Sequence, residues 1–332
     1  MHWNVSHIIA VHGCKGGVGK STVTAGLALA LKGHGCSVGI CDLDIHGPNI
    51  AYILGTDNSY VRWKQVKLEE GGIKYDTHLT TTPKVRCVDS NDNNDKSISC
   101  CNDVCHDFDF TSEEPATTCL LEPKEVYGIK VMSFSFIKSE RELGYAAFRG
   151  PMIDQIASEL VFKTDWGQLD YLILDLPPGT GDIIITLMED ITVSALVAVT
   201  TPHQLSVNDL LKGVKLFQDH DVPIACLVEN MSYFICNGCD KLHCLFGPSH
   251  AESAAKSLAI DTHICLPIMT CGTDFVKEFS SNKDALQKFG DIANVVISTM
   301  ARTKTHGNTM KSTPRQHKTK KNSAPCSNEI NW

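Results

Sequence analysis

The segment Cys14-Lys15-Gly16-Gly17-Val18-Gly19-Lys20-Ser21-Thr22 constrains what this chain can fold into more than any other. The apolar run Ile8–His12 leads into it through Gly13. Behind it, Ser21–Lys32 (STVTAGLALALK) is helix-like and apolar nearly all round, which predicts a buried helix. Strand, glycine-rich loop and helix in this order suit an anion. Glycines let consecutive backbone N–H groups curl around phosphate oxygens, and the helix N-terminus adds its positive end. Lys20 is placed to reach the β- and γ-phosphates of a nucleotide, and the Ser21 hydroxyl to ligate Mg²⁺. Gly13, Cys14, Lys15, Gly16, Gly17, Val18, Gly19, Lys20, Ser21 and Thr22 are therefore the expected phosphate cradle. The plain alternative, a glycine-rich turn with an accidental Gly-Lys-Ser, is at odds with the strand before it and the helix behind it. The strict pattern has glycine where this chain has Cys14, so the tightness of phosphate binding is in question.

The rest of the chain reads as one α/β unit. Strand-like runs recur at Val38–Cys41, Ile129–Met132, Tyr171–Leu174, Ala195–Val199, Ile224–Val228 and Ile264–Pro267. They are continuously apolar, as parallel strands covered on both faces are. Helical stripes lie between and after them: Val207, Leu210, Leu211, Val214 and Phe217 form one, and Leu286, Phe289, Ala293, Val296 and Met300 another. This alternation predicts a mostly parallel sheet flanked by helices over residues 1–300. Two stretches depart from it. Residues 84–114 hold eight Asp/Glu against three Lys/Arg and read as an acidic, disordered insertion. Cys87, Cys100, Cys101, Cys105 and His106 fall there, at spacings that match no common zinc finger. Residues 301–332 carry seven Lys/Arg against one Glu and read as a basic, disordered tail.

The formal net charge of −8 argues against a nucleic-acid coat, and no apolar run approaches the ~18 residues a membrane helix needs. No nucleic-acid or membrane partner is expected. The chain starts with neither a signal nor a transit pattern, which points to the cytoplasm and leaves organelle import open. Fifteen cysteines in a reducing compartment should be thiols; Cys36, Cys41 and Cys226 lie in apolar patterns and read as small core residues.

Three further segments carry chemistry. Asp42-Leu-Asp44-Ile-His-Gly-Pro48 follows the second strand, and two carboxylates at i and i+2 beside the phosphates can hold Mg²⁺ waters and orient an attacking water. Asp44 as a plain turn aspartate is the competing reading. Asp175-Leu-Pro-Pro-Gly-Thr-Gly-Asp182 follows a fully apolar strand, and Gly179 and Gly181 give it backbone freedom. Glu229-Asn-Met-Ser-Tyr-Phe-Ile-Cys236-Asn-Gly-Cys239 follows another strand and is expected in a loop. Its Cys-x-x-Cys serves zinc, redox or iron–sulfur chemistry, and two thiols cannot close a four-ligand site alone. His243 and Cys244 lie near enough in sequence to complete a single-chain zinc site, so that reading stays open. Arg149–Met152 and Trp166–Tyr171 read as a turn and a packing segment.

With its second lysine, the loop Lys15-Gly-Gly-Val-Gly-Lys20-Ser21 resembles the deviant phosphate-loop ATPases, the group of MinD, ParA, the nitrogenase iron protein and the Mrp/ApbC scaffold proteins. The Asn-Met-Ser-x-Phe-x-Cys-x-x-Cys arrangement resembles the Mrp/ApbC members. The resemblance spans about residues 7–300 apart from the acidic insertion, and implies a single P-loop NTPase domain. It implies an ATP-sandwich dimer, with itself or a related P-loop subunit, in which Lys15 reaches the partner's nucleotide. Asp44 would position the attacking water, Asp175 would hold Mg²⁺ through water, and Gly179 would belong to a mobile second switch. Asn230 and Pro267 would line the adenine pocket. Cys236 and Cys239 from each subunit would hold one bridging [4Fe-4S] cluster for delivery to apo iron–sulfur proteins. A spatial-organisation ATPase of the MinD/ParA kind and a zinc-stabilised nucleotide-dependent adaptor are the alternatives.

Overall fold

The run expected at Ile8–His12 is the inner part of a longer strand, β1 (Asn4–His12), exposed or half-buried at its start and fully buried from Ile8 onward. The computed structural model describes residues 4–56, 61–69, 72–74, 117–136, 150–236, 238–269 and 274–307. The stretch 84–114 lies outside them, as do residues 308–332. After β1 come α1 (Lys20–Gly33), β2 (Val38–Asp42) and the short α2 (Ile50–Ile53). A separate three-stranded antiparallel sheet follows, from β3 (Arg62–Glu69), β4 (Gly72–Lys74) and β5 (Thr117–Glu122) in the order β4-β3-β5. The main sheet resumes with β6 (Lys124–Val126), β7 (Ile129–Ser133), β8 (Gln168–Asp175), β9 (Ala195–Thr200), β10 (Ile224–Ile235), β11 (Leu242–His243) and β12 (His263–Pro267). Its helices are α3 (Gly150–Phe162), α4 (Asp182–Asp190), α5 (Gln204–Asp219), α6 (Ala251–Ser257), α7 (Phe275–Ser281) and α8 (Lys283–Gly307).

The main sheet runs β11-β10-β9-β1-β8-β2-β7-β6, with β12 also paired to β10. β1 pairs in parallel with β8 and β9, β2 with β8 and β7, and β10 with β9 and β12. Only the flanking pairs β6–β7 and β10–β11 are antiparallel. From β1 the chain crosses over α1 to β2, leaving β8 between them. The carboxyl ends of β1, β8, β9, β2 and β10 thus share one edge, where the loops of an open α/β sheet form a crevice.

The central strands are apolar throughout because both sheet faces are covered. α1 buries Val23, Ala25, Leu27, Ala28 and Leu31, and α8 buries Phe289, Ala293, Val296 and Met300. The two helices meet where the Phe289 ring occupies the space a side chain at Gly26 would need. Trp166 is fully buried and donates its indole N–H to the Val161 carbonyl at 3.0 Å, so its segment is a packing segment. Among the described residues no helix is long and apolar enough to cross a membrane.

Four details differ from the sequence reading. Leu286 is exposed although it continues the α8 stripe. α8 runs to Gly307, past the expected end at 300. The Gly-Pro of Arg149–Met152 opens α3 instead of forming a turn, with proline in the first helical turn where its missing N–H costs nothing. Glu229–Ile235 is not a loop but the outer half of β10, which extends beyond its pairing with β9 and continues along β12 and β11.

Candidate functional site: a phosphate loop and a cysteine hairpin on one sheet edge

The phosphate loop leaves β1 at His12 and enters α1 at Lys20, and its shape is set by contacts that glycine alone permits. A Cβ on Gly13 would sit 2.6 Å from the Val199 carbonyl oxygen of β9. Gly19 has φ 86°, and a side chain there would collide with the Asn230 amide, so this position requires glycine twice over. Gly17 is also left-handed, at φ 80°. Lys20 and Ser21 are buried at the helix start, where no acidic side chain in the first turn opposes an anion. Gly16 and Val18 lie in the loop between these points, and Thr22 follows in the first turn of α1.

Cys14 does not fill the cradle. Its sulfur lies over Gly213 of α5, in the space a side chain there would take, and 3.5 Å from Nε2 of His12. Thiol and missing side chain fit each other. The extra atoms of cysteine in place of glycine point to α5. Burial raises the Cys14 pKa, which keeps it a thiol. His12 was not foreseen, because in sequence it merely ends an apolar run. It is fully buried, with its ring 5.3 Å from that of Phe217, and its Nδ1 has no hydrogen-bond partner. Burial, and then the charge of Lys20, lower its pKa to about 4. The unfolded chain therefore takes up a proton near pH 6.5 and the folded one only near pH 4. Stability should fall as pH drops through that window, by ~3 kcal/mol relative to His12→Gln. Denaturant titrations of both proteins from pH 7 to 4 check this; parallel pH profiles would show that His12 carries no such penalty.

Three carboxylates gather at the ends of β2 and β8, and they are not equivalent. Asp42 and Asp175 are direct neighbours in the sheet register, and both are fully buried. Asp42 is saturated by its surroundings: Oδ1 accepts from the Asp44 amide at 3.2 Å, and Oδ2 from the Ile50 amide and the Ser133 hydroxyl, both at 3.2 Å. It frames the loop after β2, while burial and the nearby Asp175 push its pKa well up. Asp175 accepts from the Thr24 hydroxyl through Oδ1 at 3.1 Å, but its Oδ2 is buried without a partner. Burial raises its pKa to about 6, against the pull of the Ser21 hydroxyl, the Lys20 charge and the Thr24 hydroxyl. An orphaned buried carboxylate oxygen beside Lys20 and Ser21 is costly unless something charged comes to it. Asp44 is half-buried, accepts from the Gly47 amide at 3.3 Å and has its pKa raised by burial against the pull of Lys20. Gly179, at φ 89°, sits in the loop after β8.

Lys15 lies at the loop's outer side and pairs with Asp209 of α5 at 3.9 Å, both partly exposed. Such pairs contribute ~1 kcal/mol or less, so this one is easily exchanged for another anion. Asn230 reaches the loop from the opposite side: its Nδ2 donates to the Val18 carbonyl at 2.9 Å. Pro267 ends β12, opposite Tyr233. The structure thus ties Asn230 to the phosphate loop itself.

The same strand carries the cysteines. Past Asn230, β10 contains Met231 at φ 59°, an irregularity in its pairing with β12, and then runs out into a hairpin with β11. Cys236 opens the turn, which is closed by bonds from the Cys236 amide to the Lys241 carbonyl (3.0 Å) and from the Asp240 amide to the Cys236 carbonyl (2.8 Å). The Gly238 amide, the Cys239 thiol and the Cys239 amide lower the Cys236 pKa, in that order. Amides aimed at a sulfur favour thiolate, the form that binds metals. Cys236 is half-buried and Cys239 and Cys244 are exposed. Among the described residues no three His, Cys, Asp or Glu side chains converge on one metal position. Among the described residues the hairpin brings two thiols together, Cys236 and Cys239, and not the four ligands of a closed zinc site.

The family described as ParA, NUBPL iron-transfer P-loop NTPase, matches residues 4–77 and 101–301. The iron-sulfur cluster transfer protein NUBPL of Dictyostelium discoideum is 34% identical over 257 residues, 77% of this chain and 63% of that protein. The iron-sulfur cluster carrier protein of Pseudomonas fragi is 35% identical over 265 residues, 80% of this chain and 74% of that one. Among solved structures, a nucleotide-binding protein from Archaeoglobus fulgidus in complex with ADP superposes with TM-score 0.55 at 28% identity, covering 88% of each chain.

Proposed function

Because the chain belongs to the ParA-type family of NUBPL iron-transfer P-loop NTPases, we propose that it is an ATP-driven carrier that delivers a [4Fe-4S] cluster to apo iron–sulfur proteins. The observation that carries this reading is the course of β10. One strand touches the phosphate loop through Asn230 and, six residues on, presents Cys236 and Cys239 on an exposed turn. The strand that contacts the phosphate loop thus continues into the turn that carries the two thiols.

In this reading the amides of the loop and Lys20 bind the β- and γ-phosphates, and a second subunit closes over them. Ser21 and the unpartnered Oδ2 of Asp175 fit the magnesium ion that accompanies ATP, because a buried carboxylate oxygen without a donor suits a cation or its water. The ion, when bound, supplies charge neutralisation at the phosphates. Asp44, half-buried and turned by Gly47, holds the attacking water. Asp42 keeps the loop after β2 in place. Lys15 leaves Asp209 and meets the partner's γ-phosphate, where a cation stabilises transition-state charge. The cluster is cargo. Two thiolates per chain hold it only across a pair of chains, on an exposed turn where a recipient's thiolates can exchange for them, as suits delivery more than storage.

Transfer tests the reading directly. Anaerobically loaded protein mixed with an apo four-iron enzyme should restore that enzyme's activity, faster with ATP than without. The Cys239→Ser protein should restore none. Failure of the loaded wild type to restore activity would remove the carrier reading.

A further inference from the structure

Two buried side-chain atoms among the described residues have no hydrogen-bond partner, Oδ2 of Asp175 and Nδ1 of His12. They lie at the ends of neighbouring strands. Asp175 of β8 is in register with Val11, the residue before His12 in β1. A magnesium ion fits the first atom. The second has no part in holding phosphate or magnesium, yet a fully buried polar atom left unpaired is costly. Its partner is to be sought among groups that can move towards it.

The ring itself is held in place. Its Nε2 lies 3.5 Å from the Cys14 sulfur, the Phe217 ring is 5.3 Å away, and a side chain at Gly213 would meet both the sulfur and Nε2. Cys14 is a thiol, because burial raises its pKa. A thiol hydrogen given to Nε2 leaves the ring's own hydrogen on Nδ1, so His12 presents a buried N–H donor. The loop after β8 starts beside it. The Leu176 amide donates to the Val11 carbonyl at 3.1 Å, and from Pro177 onward the chain leaves the sheet. Burial and Lys20 disfavour a charged His12 ring, and the Pro177 carbonyl favours it, as an acceptor facing the ring does. Further along, Pro178, Thr180 and Gly181 are exposed and Gly179 has φ 89°. A cavity of about 400 Å³ between Thr180 and the α5 residues Lys212, Leu216 and Asp219 leaves this loop room to shift.

We propose that His12 is a positioning residue for ATP hydrolysis: with nucleotide bound, its Nδ1–H donates to the Pro177 carbonyl and docks the loop after β8 against the phosphate loop, while the Cys14 thiol fixes the tautomer. The inference rests on the ATP-hydrolysing part of the proposed function and needs no iron. Cys14 belongs to the phosphate cradle, and Pro177 is two residues from Asp175. The chain Cys14–His12–Pro177 therefore joins the cradle to the segment that carries the magnesium-facing carboxylate. His12 touches no substrate atom and acts through the loop alone.

The test compares the iron-free full chain with His12→Phe. Phenylalanine keeps an aromatic ring against Phe217 and offers no N–H. Its ATP hydrolysis should be about tenfold slower, the scale of one net hydrogen bond, with unchanged affinity for a non-hydrolysable ATP analogue and magnesium. Its melting temperature should not fall, since an unpaired buried donor has been removed. His12→Gln keeps a donor and should recover most of the rate. In wild type the analogue should slow hydrogen exchange of the amides in 176–182; in His12→Phe it should not. A His12→Phe protein as active as wild type, or one that loses rate and affinity together, overturns the proposal. So does a wild type whose 176–182 amides exchange equally fast with and without the analogue, a readout that needs no variant to fold. If loaded wild type restores an apo enzyme while His12→Phe hydrolyses ATP at the wild-type rate, the docking fails and the carrier reading stands. If His12→Phe behaves as expected while loaded wild type restores nothing, the outcome is reversed.

Discussion

Lys15→Ala is expected to lower ATP hydrolysis by roughly 10³–10⁵-fold while leaving ATP affinity nearly unchanged. The size is that of a cation acting in trans on the charge of the phosphoryl-transfer transition state. The geometry supports the split. Lys15 sits at the outer side of the loop and is held by nothing stronger than a partly exposed pair with Asp209 at 3.9 Å. Its removal takes away at most ~1 kcal/mol of stability and no contact from the inner wall of the cradle. Lys20→Ala should behave in the opposite way. Lys20 is buried at the start of α1, beside Ser21 and facing the carboxylates, and its loss removes the charge-assisted contact on which binding depends. Nucleotide titrations with single-turnover hydrolysis separate the two outcomes. Equal losses of affinity in both variants would mean that Lys15 acts within its own subunit and that no sandwich forms.

The second large effect concerns the cysteines. Cys236→Ser and Cys239→Ser should each abolish iron binding, since a serine oxygen is a poor substitute for a thiolate at iron. ATP hydrolysis should survive, because the turn lies beyond the end of β10 and contributes nothing to the phosphate cradle. Cys244→Ser should leave the iron in place: Cys244 is exposed beyond β11 and joins no three-ligand cluster among the described residues. Iron determination after anaerobic reconstitution reads all three variants.

Much of this was legible before the structure, and the reasons differ from part to part. Parallel strands buried on both faces write themselves as apolar runs, so β1, β2, β7, β8, β9 and β12 were visible. The phosphate loop was visible because its glycines answer to local backbone geometry. The outer half of β10 was not, because its Glu229, Asn230 and Ser232 are polar yet buried. Their partners lie far away or on the same bend: the Ser232 hydroxyl donates to Glu229 at 2.7 Å, the His250 amide to Glu229 at 2.9 Å, and Asn230 to Val18. Polar residues satisfied by tertiary contacts look like a loop in sequence. The β3–β5 sheet escaped notice because its two longer strands are separated by the acidic stretch, and such pairing leaves no local mark. The roles of the carboxylates were only half readable. Spacing placed Asp42 and Asp44 together, but only the hydrogen bonds reveal that Asp42 is saturated while Asp175 keeps a free oxygen. The fit of Cys14 to Gly213 joins residues 199 positions apart and has no sequence signal at all.

The most direct test of the account is the metal content of the protein purified and reconstituted without oxygen. Two chains, each contributing Cys236 and Cys239, should form a brown dimer holding about four irons per two chains, by the count of thiolates a cubane requires. One tightly held zinc per chain, released by Cys244→Ser, would contradict it and make the cysteine hairpin a structural zinc site.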